Sequence, residues 1–159
     1  QQLVREYREH NSAVHAELVK PMEGAKQLVS DLKEQGYKLG IVSTKAREMI
    51  LLGLKLNEMD SFFDVIVGQD EVKKGKPDPE GILTACRLLK EGHDSVVYVG
   101  DSVTDMQAAR NAGVFSVAYL YHAQRREAME KEKPNRMIDQ LLQLEDLLKE
   151  DLVWTNSMM

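Results

Sequence analysis

Apolar positions along the first third of the chain switch between helical spacing and short continuous runs. Helical spacing covers residues 3–19 and again residues 25–36, where Gly36 is suited to end a helix. A short apolar run over residues 37–42 then predicts a strand. Residues 46–56 return to helical spacing, so the pattern predicts a strand, a loop and a helix in succession.

The rest of the chain repeats this alternation of strand and helix. Strands are predicted at residues 62–67, 96–99, 115–120 and 136–138, and helices at residues 79–90, 104–112 and 140–149. Apolar strands that alternate with helices form parallel sheets covered on both faces. The sequence therefore predicts an α/β fold, with an open, doubly wound parallel sheet.

Polar residues follow three of the predicted elements at the points where a ligand would bind. Ser43 and Thr44 follow the first strand, Lys76 lies in a proline-rich loop, and Asp101 and Asp105 follow the strand at residues 96–99. In an open α/β sheet the ligand crevice lies at the carboxyl ends of the strands. These side chains are therefore the candidate site.

The acidic pair, Asp101 and Asp105, is the strongest of the three clusters. Two carboxylates about 4 Å apart repel by about 4 kcal/mol at an effective dielectric constant of 20, so close placement favours a bound cation or a shared proton. Oxygen ligands suit Mg²⁺. The alternative interpretation is that Asp101 or Ser102 caps the following helix while Asp105 faces water.

The other two clusters are suited to anion binding. The Ser43 and Thr44 hydroxyls, with the backbone N–H groups that open the next helix, can hold a phosphoryl oxygen. An ordinary N-cap serine is the alternative interpretation. Prolines stiffen the loop around Lys76, which can fix one ammonium group in the crevice, whereas Lys73 and Lys74 are interpreted as solvated side chains.

In this order and at these strand ends, the clusters resemble motifs two, three and four of the haloacid dehalogenase superfamily. Over residues 21–148 the chain is most similar to its phosphoglycolate phosphatase and bacterial pyrophosphatase subgroup. The resemblance implies a Rossmann-like fold and a phosphatase or pyrophosphatase, a hydrolase acting on a small phosphorylated substrate or pyrophosphate. It also implies that Ser43 hydrogen-bonds the phosphoryl group, that Lys76 offsets its charge and that Asp101 ligates magnesium directly. Asp105 would act mainly by supporting the metal site without contacting the ion itself.

The family's nucleophile motif, an apolar strand ending in Asp-x-Asp-Gly-Thr, does not occur in this sequence. In the family the first Asp attacks phosphorus to give an aspartyl-phosphate, and the second protonates the leaving group and then activates water. The resemblance therefore implies a core that lacks its first, central strand and most of its cap domain. Residues 1–20 would be the last cap helix, residues 21–150 the core, and residues 151–159 a flexible tail.

The missing strand would lie between the strands that end at Ser43 and at Asp101. Without it, two bare strand edges would face each other. We expect the chain to pair with a separate N-terminal segment, to exchange elements between copies, or to close its sheet around the gap.

Composition narrows the range of partners and compartments. A net charge of -5 and a pI near 5.4 argue against a nucleic-acid surface. The single cysteine, Cys86, cannot form an internal disulfide, and no apolar run is long enough to span a membrane, so a cytoplasmic protein is predicted.

One other function fits the same sequence, and a second does not. A catalytically silent phosphate-binding or regulatory module would keep the pocket without ever having had a nucleophile. A receiver domain would place its acidic pair early and its lysine last, and the order here is the reverse.

Overall fold

The computed structural model describes residues 22–150, in which helices and strands alternate. The helices are α1 (Ala25–Glu34), α2 (Arg47–Leu56), α3 (Glu80–Leu89), α4 (Val103–Ala112), α5 (Arg126–Lys131) and α6 (Gln143–Lys149). The strands are β1 (Gly40–Val42), β2 (Val65–Val67), β3 (Val97–Gly100), β4 (Phe115–Tyr119) and β5 (Arg136–Ile138). Every strand predicted from the apolar runs is present, which confirms the α/β class.

All strand pairs in the described residues are parallel, and they form two separate sheets. One sheet pairs β1 with β2, with Ile41 opposite Ile66. The other has the order β3-β4-β5, with Val99 opposite Val117 and β5 at its edge. Within each sheet, the carboxyl ends of the strands therefore lie at the same side.

The facing edges of β1 and β3 are not paired with each other within residues 22–150. Between them lies a cavity of about 760 Å³, here called the inter-sheet groove, whose walls include Ile41, Val42, Val97 and Val99. Helices α1, α3 and α6 contribute further apolar side chains to its walls. The predicted gap between the strands that lead to Ser43 and Asp101 is thus present in the described part of the chain.

Helices cover both faces of the β3-β4-β5 sheet. On one face, α1 and α6 pack on β4 and β5 through a cluster of Leu28, Leu32, Phe115, Val117, Tyr119, Ile138 and Leu144. On the other face, α3 and α4 share a cluster that includes Ile82, Cys86, Ala108 and Ala109. Since every residue of β4 is buried, the sheet is doubly wound as predicted.

Glycines follow the ends of α1 and α4, as predicted for Gly36, whereas several helices start later than predicted. Gly36 and Gly113 have φ values of 88° and 71°, the left-handed conformation that glycine adopts without steric cost. Pro79 immediately precedes the first residue of α3 instead of lying inside its first turn. The last helix begins at Gln143, later than the residue 140 predicted from apolar spacing.

Some predictions fall on residues outside the described range. The helix at residues 3–19, its assignment to a cap and the tail at residues 151–159 are among them, and they stay predictions. Within residues 22–150 no helix has the length and apolar character needed to cross a bilayer.

Candidate functional site

The candidate site lies where the polypeptide leaves the carboxyl ends of β1, β2 and β3. Strand β1 leads into Ser43, β2 leads into Gly68, and β3 ends at Gly100, directly before Asp101. The backbone N–H of Ser43 donates to the Val67 carbonyl at 3.0 Å, which continues the β1-β2 pairing up to this edge. Because the strands are parallel, their polar ends come together at this rim.

Ser43 and Lys76 line one small pocket at this rim. Gln69 and Lys74 are the other polar side chains of its lining, and Val42, Gly68 and Gly75 also line it. Lys74, interpreted from the sequence as a solvated side chain, is exposed but borders this pocket. The proline-containing loop after β2 therefore brings Lys76 to the end of β1. Two of the predicted site residues, 33 positions apart in sequence, meet in one cavity.

Lys76 is held by two groups that come from β3 and α4. Its Nζ donates to Asp105 Oδ1 at 2.5 Å and to the Tyr98 hydroxyl at 3.3 Å. The Tyr98 hydroxyl in turn donates to Asp105 Oδ1 at 3.3 Å. The Lys76 and Asp105 side chains are only 13% and 7% exposed, so this is a largely desolvated ion pair.

The second oxygen of Asp105 is held by backbone groups. Asp105 Oδ2 accepts from the backbone N–H groups of Asp101 and Ser102, at 3.1 and 3.2 Å. In return, Ser102 Oγ accepts the Asp105 N–H at 3.1 Å, which caps helix α4. The alternative interpretation was right about the Ser102 cap and wrong about Asp105, which is 5% exposed and does not face water.

These contacts set the charge state of the cluster. Burial by itself would raise the pKa of Asp105, but the hydrogen bond and charge of Lys76, with the bonds from Ser102 and Asp101, hold that pKa below its ordinary value. Burial raises the pKa of Tyr98, and the neighbouring Asp105 carboxylate raises it further. The cluster therefore holds a carboxylate at Asp105 and a neutral phenol at Tyr98.

Asp101 stands beside this cluster, at the end of β3. Its backbone N–H binds Asp105 Oδ2, its carbonyl accepts from Arg125 Nη1 at 3.2 Å, and no described residue hydrogen-bonds its carboxylate. Both oxygens of Asp105 are already engaged, so of the two acids predicted to bind the metal only Asp101 has a carboxylate without a hydrogen-bond partner among the described residues. Three or more His, Cys, Asp or Glu side chains gather nowhere in residues 22–150.

Ser43 does not cap helix α2, contrary to the alternative interpretation. The residue preceding α2 is Ala46, and Ser43 Oγ instead accepts the Lys45 N–H at 3.1 Å, which forms a local turn. The first N–H of α2, on Arg47, donates to Asp70 Oδ1 at 2.9 Å. Thr44 is exposed, and the described contacts do not join it to the pocket.

Two residues of this neighbourhood were not singled out from the sequence. Asp70 caps α2 from the loop after β2, a long-range contact that has no local sequence signal. Tyr98 was interpreted only as a strand residue. The sequence did contain a signal for Tyr98. Residues two apart on a strand face the same side, so Tyr98 shares with Gly100 the face of β3 that lies next to Asp105.

The fold and this rim define a parallel α/β domain with paired cationic and acidic groups at its strand ends. A sequence model described as haloacid dehalogenase-like hydrolase matches residues 1–119. The chain belongs to this family, which confirms the resemblance inferred from its motifs.

Relatives with assigned names support the same subgroup. A pyrophosphatase PpaX of Bacillus thuringiensis is 39% identical over 150 residues, which cover 94% of this chain and 69% of that protein. A pyrophosphatase PpaX of Bacillus anthracis is 40% identical over 144 residues, with 91% and 67% covered. The chain thus spans about two thirds of the length of these relatives.

Solved structures share the fold. The crystal structure of a HAD phosphatase from Thermococcus onnurineus superposes with a TM-score of 0.74 at 28% sequence identity. The match covers 81% of this chain and 58% of that chain.

Proposed function

We propose that this chain forms the phosphate- and metal-binding part of a Mg²⁺-dependent phosphohydrolase. The observation that carries the proposal is the single pocket shared by Ser43 and Lys76, with Lys76 paired to Asp105 beside Asp101. A phosphoryl group needs hydrogen-bond donors and an offset for its negative charge, and both are present at this rim. The family membership and the names of the relatives support the same class of reaction.

Each residue has a distinct role in this proposal. The Ser43 hydroxyl donates to a phosphoryl oxygen, and the Lys76 ammonium offsets the charge that develops during transfer. Thr44 is kept as a further phosphate-binding candidate from the sequence. Asp101 ligates the cation, while Asp105 holds both Lys76 and the Asp101 loop in place.

Magnesium, when bound at Asp101, supplies positive charge to the phosphoryl oxygens. Asp101 fits this role because its carboxylate has no competing partner in the described residues and because carboxylate oxygen is a preferred Mg²⁺ ligand. Asp105 has both oxygens engaged by N–H groups, which suits it to hold Lys76 and the Asp101 loop and not to ligate the cation itself.

The nucleophile in this proposal is an Asp supplied from outside the present sequence. Its carboxylate attacks phosphorus and displaces the leaving group, which takes a proton from a second acid, and water then hydrolyses the aspartyl-phosphate. Residues 1–159 contain no Asp-x-Asp-Gly-Thr run, and a second copy of the same sequence would lack it too, so in this proposal a segment outside these residues delivers the nucleophile.

The inter-sheet groove supports a nucleophile supplied by another segment. It is walled by apolar residues of β1 and β3, two parallel strands whose facing edges are unpaired within residues 22–150. An extended apolar segment placed there would bond to both edges, and its carboxyl end would emerge between Ser43 and Asp101. An Asp at that end would face the pocket lined by Lys76.

Pyrophosphate and small phosphate monoesters are the proposed substrates, because the named relatives at 39% to 40% identity are pyrophosphatases. These relatives favour an enzyme over a catalytically silent module. A cytoplasmic location stays the prediction from cysteine usage.

The test is an assay of the protein at its native genomic length, with Mg²⁺, on pyrophosphate and on a panel of small phosphate monoesters. We expect turnover that requires Mg²⁺ and falls at least about 100-fold in Lys76→Met, because the offset of phosphoryl charge is lost. Lys73→Met is the matched control, since Lys73 does not line the pocket. Absence of Mg²⁺-dependent turnover on every substrate would refute the proposal.

A further inference from the structure

Tyr98 joins the apolar interior to the charged cluster of the site. It lies on β3, on the face that packs against α3 and α4, with Ile82 and Cys86 among the residues of that cluster. Its hydroxyl reaches Lys76 and Asp105 at the rim. A residue of the strand interior thus ends in a polar group at the candidate site.

The hydroxyl has a defined set of partners. It accepts from Lys76 Nζ at 3.3 Å and donates to Asp105 Oδ1 at 3.3 Å, and no other partner occurs among the described residues. Burying a hydroxyl costs free energy unless it is hydrogen-bonded, so a phenylalanine would fill the same space at lower cost. The hydroxyl therefore serves these two groups and not the packing of the sheet.

The effect on Lys76 follows from the geometry of an ammonium group. Its three N–H donors rotate freely about the last carbon–nitrogen bond unless they are held. One bond to Asp105 Oδ1 fixes the rotation of the three donors but leaves the side chain free to swing about that hydrogen bond, whereas a second bond to Tyr98 restricts the swing too. The third donor is then left for the pocket that Lys76 shares with Ser43.

We propose that Tyr98 is a positioning residue, whose hydroxyl orients the Lys76 ammonium so that one N–H donor faces a phosphoryl oxygen in the Ser43 pocket. This inference rests on the proposed function and deepens it. The hydroxyl acts through Lys76 and does not touch the substrate. Preorganised donors stabilise an anion more than donors that must be ordered when it binds.

The test measures the affinity of the full chain for inorganic phosphate by calorimetry in the presence of Mg²⁺. Tyr98→Phe removes only the hydroxyl, and we expect phosphate binding to weaken about three- to tenfold. Tyr37→Phe is the matched control, because Tyr37 packs against the core on the opposite face of the sheet. Thermal unfolding of every variant identifies those that are folded, and Tyr98→Met is a second way to remove the hydroxyl.

The double variant Lys76→Met/Tyr98→Phe separates positioning from a general structural effect. If the hydroxyl acts through Lys76, its removal has no further effect on phosphate affinity once Lys76 is gone. An equal loss with and without Lys76 would overturn the inference, as would wild-type affinity in Tyr98→Phe beside weakened binding in Lys76→Met. Absence of Lys76-dependent phosphate binding in the unaltered chain would instead overturn the proposed function, and this inference with it.

Discussion

Gly100 is the residue at which backbone and site approach most closely. A Cβ atom added there would lie 2.3 Å from the Cβ of Asp105 and 2.8 Å from its Oδ2. The absence of a side chain lets α4 turn back over the end of β3, so that Asp105 can accept the N–H groups of Asp101 and Ser102. A single glycine therefore permits the whole acidic arrangement at this rim.

We expect Gly100→Ala to lower the free energy of unfolding by about 1–3 kcal/mol, because the new methyl group overpacks against Asp105. Denaturant-induced unfolding monitored by circular dichroism measures this. The matched control is Gly40→Ala in β1, where an added Cβ would meet its nearest atom at 3.4 Å. Equal stability of Gly100→Ala and the unaltered chain would show that the α4 turn can shift without cost.

At the scale of elements, Asp64 ties α1, β1 and β2 together. Both of its carboxylate oxygens accept from Lys33 Nζ at 2.7 Å, at the end of α1, and Oδ2 also accepts the Leu39 N–H at 2.8 Å. The Asp64 N–H donates back to the Leu39 carbonyl at 2.8 Å. These contacts set the level at which β1 and β2 begin, and hence the position of Ser43 at their other end.

The same contacts predict a pH dependence of stability. The hydrogen bond from Lys33, and then the one from Leu39, lower the pKa of Asp64 below its ordinary value of 3.8. A lowered pKa means that the stabilisation is fully present above pH 3.8 and is lost as pH falls through the folded-state pKa. Asp64→Asn should therefore be less stable than the unaltered chain at pH 7, by at most about 1 kcal/mol because solvent screens this partly exposed pair.

Urea unfolding between pH 2 and pH 7 tests this prediction, with Glu34→Gln as a control that removes an exposed carboxylate without a described partner. The stability difference between Asp64→Asn and the unaltered chain should shrink toward zero at the acid end. A difference that stays constant over this range would show that the Asp64 charge contributes nothing.

At the scale of the whole molecule, the inter-sheet groove dominates the architecture. The backbone N–H of Ser43 donates to β2, and because successive residues of a strand face opposite sides, the amide of Ile41 also faces β2 and that of Val42 faces the groove. The backbone carbonyl of Val96 accepts from β4, so by the same alternation the amides of Val97 and Val99 face the groove. The two half-sheets are covered by helices on their faces but have bare edges toward each other in the described residues. Such edges are templates for strand pairing.

Amide hydrogen exchange measured by nuclear magnetic resonance can show whether the groove is filled in solution. In the chain of residues 1–159 we expect Val42 and Val99 to exchange at least about 100-fold faster than Ile41, because no strand within residues 22–150 pairs with their amides. Similar protection at all three positions would mean that another segment or a second copy occupies the groove.

The position of the candidate site in the fold was largely predictable because its signals are local. Ser43, Lys76 and Asp101 each follow a recognisable strand or lie in a recognisable loop, and parallel strands bring their ends to one rim. Tyr98 and Asp70 were missed because their roles depend on partners 22 and 23 residues away. The N-cap interpretation of Ser43 was wrong because Asp70 supplies that bond from another loop.

By itself the sequence determined the order of strands and helices, the α/β class and the rim where polar residues gather. Those properties depend on apolar periodicity and on turn residues, which act over a few positions. Only the tertiary structure decided that Asp105 is buried against Lys76, that the Tyr98 hydroxyl joins them, and that two half-sheets face each other across a groove. These depend on long-range packing, in which the position of each group is set by elements far away in the chain.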